Sequence, residues 1–135
     1  MRRVLNIRNE TGQTMVELTI VLPILVVLLF GIMEFGIIFN NYVTLTDAVR
    51  AGARKAAVSR NLGPSGAVAA AQQQVRDASG DLIQSKLPDP TVTSTWVHGD
   101  PVTVCAEYPY TFDIALLGIT AKSGNLKSCT KERVE

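Results

Sequence analysis

The sequence predicts an α+β fold: a long N-terminal transmembrane helix extending into a small exported domain that holds a second helix and a short antiparallel sheet. Three observations carry this. An apolar run fills Leu18 to Phe39, small residues recur at helical spacing beyond it, and the last third of the chain alternates like strands around two cysteines.

The run LTIVLPILVVLLFGIMEFGIIF has Glu34 as its only charge in 22 residues. As a helix it is about 33 Å long, enough to cross a bilayer. Pro23 removes one backbone hydrogen bond, which membrane helices tolerate where neighbours re-satisfy the backbone, and it predicts a local bend. Gly31 and Gly36 lack GxxxG spacing and read as close packing only. A secretory signal peptide is the rival reading, but the run is longer than an h-region, contains Glu34 and continues without a small-residue cleavage site.

From Asn40 to about Ser59 the helix is expected to continue outside the membrane, with Ala48, Gly52 and Ala56 recurring beside Val49 and Ala53. That stripe permits close approach, and packing on the chain's own sheet is favoured over a subunit interface. Asn61 to Gly66 reads as a turn, Ala67 to Asp77 as a second helix and Leu82 to Leu87 as a further turn, ended by Pro88 and Pro90. Strands are expected at Thr91 to Val97, Val102 to Tyr108 and Leu126 to Val134, with Gly99-Asp100-Pro101 as a hairpin turn. The division is therefore 1–12 as a leader, 13–60 as the long helix with its span at 18–39, and 61–135 as the exported domain.

In the second strand Val102, Val104, Ala106 and Tyr108 share one face and Thr103, Cys105 and Glu107 the other. Placing Cys105 opposite Cys129 on antiparallel strands sets Glu107 against Lys127 and Thr103 against Lys131, a register consistent with the charges. A disulfide between Cys105 and Cys129 is the better reading, since zinc would need two more ligands. It would close a loop of about 25 residues, stabilising a small domain by roughly 3–4 kcal/mol in the chain-entropy model.

Arg2, Arg3 and Arg8 precede the span, but Arg50, Arg54 and Lys55 follow it, so the positive-inside count is near parity. The cysteine pair tips the orientation to N-terminus inside and C-terminal domain outside the inner (cytoplasmic) membrane, because disulfides persist in oxidising compartments. Net charge is +1 with scattered basic residues, which excludes a nucleic-acid stripe and a polybasic lipid patch.

Gly12-Gln13-Thr14-Met15-Val16-Glu17 stands at the mouth of the span, after a short basic leader. A carboxylate there invites a partner. Cleavage after Gly12 would make Gln13 the first residue, so its new α-amine and Glu17 would share one depth. In a packed filament, Glu17 of one subunit would neutralise the Gln13 amine of the next. The plain alternative is that Gly12 ends a flexible tail and Glu17 snorkels. Glu34 falls near the opposite interface, on a different helix face from Glu17. It reads as a snorkelling acid at headgroup level among Phe35, Phe39 and Tyr42, with a subunit contact as the second reading.

The stretch GQTMVELTIVLPILVVLLFGIMEFGIIFNNYVTLTDAVRAGARKAA resembles the TadE-like family of type IVb pseudopilins. Gly12, Glu17, Leu22-Pro23, the Gly31-Ile32-Met33-Glu34-Phe35-Gly36 box and Ala51-Gly52-Ala53-Arg54 carry the likeness. PVTVCAEYPYTF and LKSCTKERVE loosely resemble the family's two closing strands. The resemblance implies a pilin-like minor subunit of a tight-adherence (Flp-type) system, cut by a prepilin peptidase and supporting pilus assembly. Its implied partners are that peptidase, other pilin or pseudopilin subunits, the inner-membrane machinery and membrane lipid, with incorporation into a surface pilus after processing. Leu18 after Glu17, where major Flp pilins carry tyrosine, and the chain's length favour an accessory subunit over the main fibre protein. An unprocessed single-span anchor carrying a small extracytoplasmic binding domain is the alternative.

His98 beside Gly99-Asp100 is the one arrangement that suggests acid–base chemistry, and a turn histidine is ordinarily solvated. The sequence has no GxSxG, HExxH, Walker loop or four-ligand metal set, so neither catalysis nor a cofactor is expected.

Overall fold

The computed structural model describes residues 10–114 and 119–135. Arg2, Arg3 and Arg8 of the expected leader lie outside the described residues.

Helix α1 runs Glu10–Val58, 49 residues without a break through Pro23, or about 74 Å. Glu10 is its first described residue, so the Gly12–Gln13 bond lies within the described helix. Leu45 is the first fully buried residue along it, and Ala48, Val49, Ala53 and Ala56 follow at 0% exposure.

Helix α2, Gly63–Ala78, starts earlier than the expected Ala67, after a single 3-10 turn at Arg60–Leu62. Pro64 explains the difference. It lies in the first turn, where its missing N–H leaves no helical bond unmade and its fixed φ is already helical. Gly63, at φ 74°, takes the left-handed turn between the two helices that a side chain would resist. Ala67, Ala71 and Val75 form the buried face of α2. They meet α1 at Gly52, where an added Cβ would lie 2.3 Å from Val75 Cγ2 and 3.1 Å from the Ala71 carbonyl oxygen. The small-residue stripe thus serves α2 as well as the sheet. A 3-10 turn at Gln84–Lys86 follows.

Strands β1 (Thr91–Thr93), β2 (Pro101–Ile114) and β3 (Ile119–Arg133) make an antiparallel sheet in the order β1-β2-β3. β1 stops four residues short of Val97. Trp96 adopts φ 58° and its N–H donates to Ser94 Oγ at 3.0 Å, so the chain turns where extension was expected. β2 and β3 are longer than expected, because pairing continues from Pro101↔Arg133 to Ile114↔Ile119. Pro109 was the misleading residue. It is tolerated because β1 pairs only with Thr103 to Cys105, leaving β2 with an open edge beyond.

The predicted inward set holds: Val102, Val104, Ala106 and Tyr108 are buried against Leu45, Val49, Ala53, Val75, Leu82 and Leu87. Trp96 packs partly buried on this core. Backbone bonds clasp the sheet's end to the top of α1: Gly99 N–H donates to Val134 O (2.9 Å), Val134 N–H to Asp100 O (2.9 Å), and Glu135 N–H to Ala57 O (3.1 Å). Since β2 starts beside Ala57, it runs back down α1 towards Leu45.

Candidate functional site

Gly12, Gln13, Val16, Glu17 and Ile20 line one shallow concavity on the first turns of α1. Helical spacing explains the grouping, because positions four apart lie one above the other. Gln13 and Glu17 are such a pair, and both are exposed. The site is therefore a strip on an uncovered helix rather than an enclosed pocket. Among the described residues neither Glu17 nor Glu34 has an ion-pair partner.

Glu34 and Glu17 are separated by about 100° around the helix. Glu34 belongs to a half-buried line of Phe30, Gly31, Glu34, Ile38 and Asn41 that leads up to Leu45 and Ala48. It faces the side on which the sheet hangs. Phe35 and Phe39, by contrast, are exposed and stack with ring centroids 6.4 Å apart.

Apolar exposure dominates the lower helix. Val16, Ile20, Leu25, Leu29, Ile32 and Phe35 are all more than half exposed. Their helix is long and apolar enough to cross a membrane, and none of its most apolar window is buried in the domain. In water such a surface far exceeds what a soluble monomer leaves uncovered. A single membrane span is the reading it suggests.

Cys105 and Cys129 are paired partners on β2 and β3 and are joined by a disulfide. The neighbouring register is Glu107↔Lys127 and Thr103↔Lys131, as the charge pattern required. Lys127 Nζ lies 3.1 Å from Glu107 Oε1. Both cysteines sit on the face away from the core, so the bridge fastens the hairpin without occupying core volume.

His98 is exposed, and the Asp100 carboxylate instead accepts from the Thr95 hydroxyl at 2.6 Å. Among the described residues, no group of three or more His, Cys, Asp or Glu could hold a metal ion.

Alternation alone places the strands at Val102 to Tyr108 and Leu126 to Val134, the family resemblance carries the first on to Phe112, and neither reaches 113–114 or 119–125. Tyr110 and Phe112 continue the inward alternation of Val102 to Tyr108, a signal hidden by Pro109. Opposite Tyr110 stands Gly124, where an added Cβ would come within 3.0 Å of the ring.

No curated protein and no solved structure matches the chain. The model of the TadE-like protein family matches residues 12–54, opening on Gly12 and taking in Glu17, Glu34 and Gly52. That segment, about a third of the chain, holds the whole candidate site and most of the small-residue stripe and is similar to TadE-like proteins.

Proposed function

We propose that the protein is a minor pseudopilin of a tight-adherence type IVb pilus system, matured by a prepilin peptidase that cuts between Gly12 and Gln13. The supporting observation is placement: the TadE-like match opens on Gly12, at the foot of an uncovered apolar helix, with Glu17 one turn beyond. The disulfide-fastened domain belongs on the oxidising side of the inner membrane, with the N-terminus inside.

Cleavage requires α1 to open at Gly12, because a helical peptide bond is not presented to a protease. The glycine favours opening, since in a helix it costs about 1 kcal/mol relative to alanine. After cleavage the Gln13 amine and the Glu17 carboxylate lie at one depth, and the apolar face needs a new cover when it leaves lipid. A neighbouring subunit's helix, docked with its Glu17 on that amine, provides both. Other pilin subunits and the tight-adherence machinery are the corresponding partners.

Mass spectrometry of the membrane-purified chain tests the processing step: cells with an active prepilin peptidase yield a chain starting at Gln13. Intact Met1 there would overturn the reading in favour of an unprocessed anchor. Gly12→Ala leaves the leader-bearing mass. Glu17→Ala permits cleavage but lowers pilus number by electron microscopy, and undiminished piliation would remove its assembly role.

A further inference from the structure

We propose that the lower end of the β2–β3 hairpin enters the leaflet on the domain's side of the bilayer that α1 crosses, as a second, interfacial membrane anchor. The inference rests on α1 being the span, and not on its processing. Chain direction comes first. The clasp of Gly99, Val134 and Glu135 fixes the start of β2 and the end of β3 beside Ala57. Leu45 is the lowest fully buried residue of α1, and Tyr108 is the last buried residue of β2 before the hairpin's lower half. The two descents agree: Ala57 to Leu45 is about 18 Å along a helix, and Val102 to Tyr108 is about 20 Å along a strand.

Pairing does not stop at Tyr108. It continues for six more residues on β2, to Ile114↔Ile119, with a bulge between Phe112 and Asp113. Those residues add about 20 Å of strand. Phe39, the edge of the apolar run, is only about 9 Å below Leu45 along the helix. Tyr110 and Phe112 therefore come to the level of Phe39, and the backbone of Ile114 and Ile119 passes below it.

The side chains suit that depth. Tyr110 and Phe112 are the ring types that gather at membrane interfaces, and exposed Lys122, opposite Phe112, can keep its ammonium among headgroups. Glu34 and Ile38 of α1 lie at this level, on the helix line that leads up to the buried Leu45 and Ala48. Asp113 limits the depth. An acid at the bilayer centre costs about 2.5–3.5 kcal/mol on insertion scales and less near the surface, so the hairpin stays interfacial.

The test is tryptophan quenching in the full chain, reconstituted into phosphatidylcholine vesicles whose acyl chains are brominated near the headgroup. Trp96 is the only native tryptophan and lies near the Ala57 end, so the parent protein serves as the unquenched baseline. F112W is expected to lose most of its added emission in brominated lipid, and I114W likewise. L29W, near the middle of the span, reports the span itself in vesicles brominated near the acyl-chain ends. Quenching of L29W without F112W or I114W overturns the hairpin anchor and leaves the span standing. Failure of all three overturns both. Non-reducing mass measurement of the Cys105–Cys129 bridge identifies folded variants, and quenching at either hairpin tryptophan supports the anchor.

Discussion

Between Met15 and Val43, α1 leaves its apolar side chains uncovered, with Ile32 73% exposed, whereas from Leu45 to Ala57 the inward positions of the same helix are 0–4% exposed. The upper part is amphipathic in the ordinary sense: alanines and Gly52 turn inward, while Arg50, Arg54 and Lys55 stay outside. The lower part is apolar all round. One continuous helix therefore passes through two surroundings, and its residues change type where its neighbours change. Stability of the upper part is internal to the domain; that of the lower part depends on lipid or on other subunits.

Three variants test this division. The largest effect is expected for Cys105→Ser with Cys129→Ser, which releases a bridge of sequence separation 24. Denaturant unfolding of the C-terminal domain should show a loss of roughly 3–4 kcal/mol, with membrane insertion unchanged. Gly52→Val comes next. Its branched side chain meets Val75 and the Ala71 carbonyl, and overpacking of this kind costs about 1–3 kcal/mol. Faster proteolysis of α2 with normal insertion is the expected result; an unaltered domain would show that α1 and α2 are not docked at Gly52. Smallest is Leu29→Ala, for which domain unfolding should move by less than about 0.5 kcal/mol because that side chain is 60% exposed among the described residues. A larger shift would mean that the two halves of α1 are energetically joined.

Much of this division is legible in the sequence alone. The apolar run, the alanine and glycine stripe, the inward alternation of Val102 to Tyr108 and the Cys105↔Cys129 register each follow from a single periodicity or charge pattern. What escaped depends on context. Pro64 belongs to a helix start and looks like a turn residue beside Asn61, Gly63 and Gly66. Pro109 resembles a strand end unless β2 is known to have an open edge there. Thr95 and Trp96 alternate like a strand, but the Ser94 hydroxyl and a positive φ at Trp96 turn the chain. Gly12 to Glu17 was legible as a motif, and the family match opens on it. The half-burial of Glu34 was not, because it depends on the helix face that the sheet overhangs.

The absence of any break in α1 makes it a lever. From Phe39 to Val58 the helix stands about 29 Å above the apolar edge, and the domain is fastened to that upper arm by Gly52, the buried stripe and the Ala57 clasp. Membrane helices commonly tilt by about 20°, which would swing the top of this arm sideways by about 10 Å. A change of tilt in the bilayer is thus delivered to the domain as translation, with no helix break and no proline between Phe39 and Val58 to absorb it.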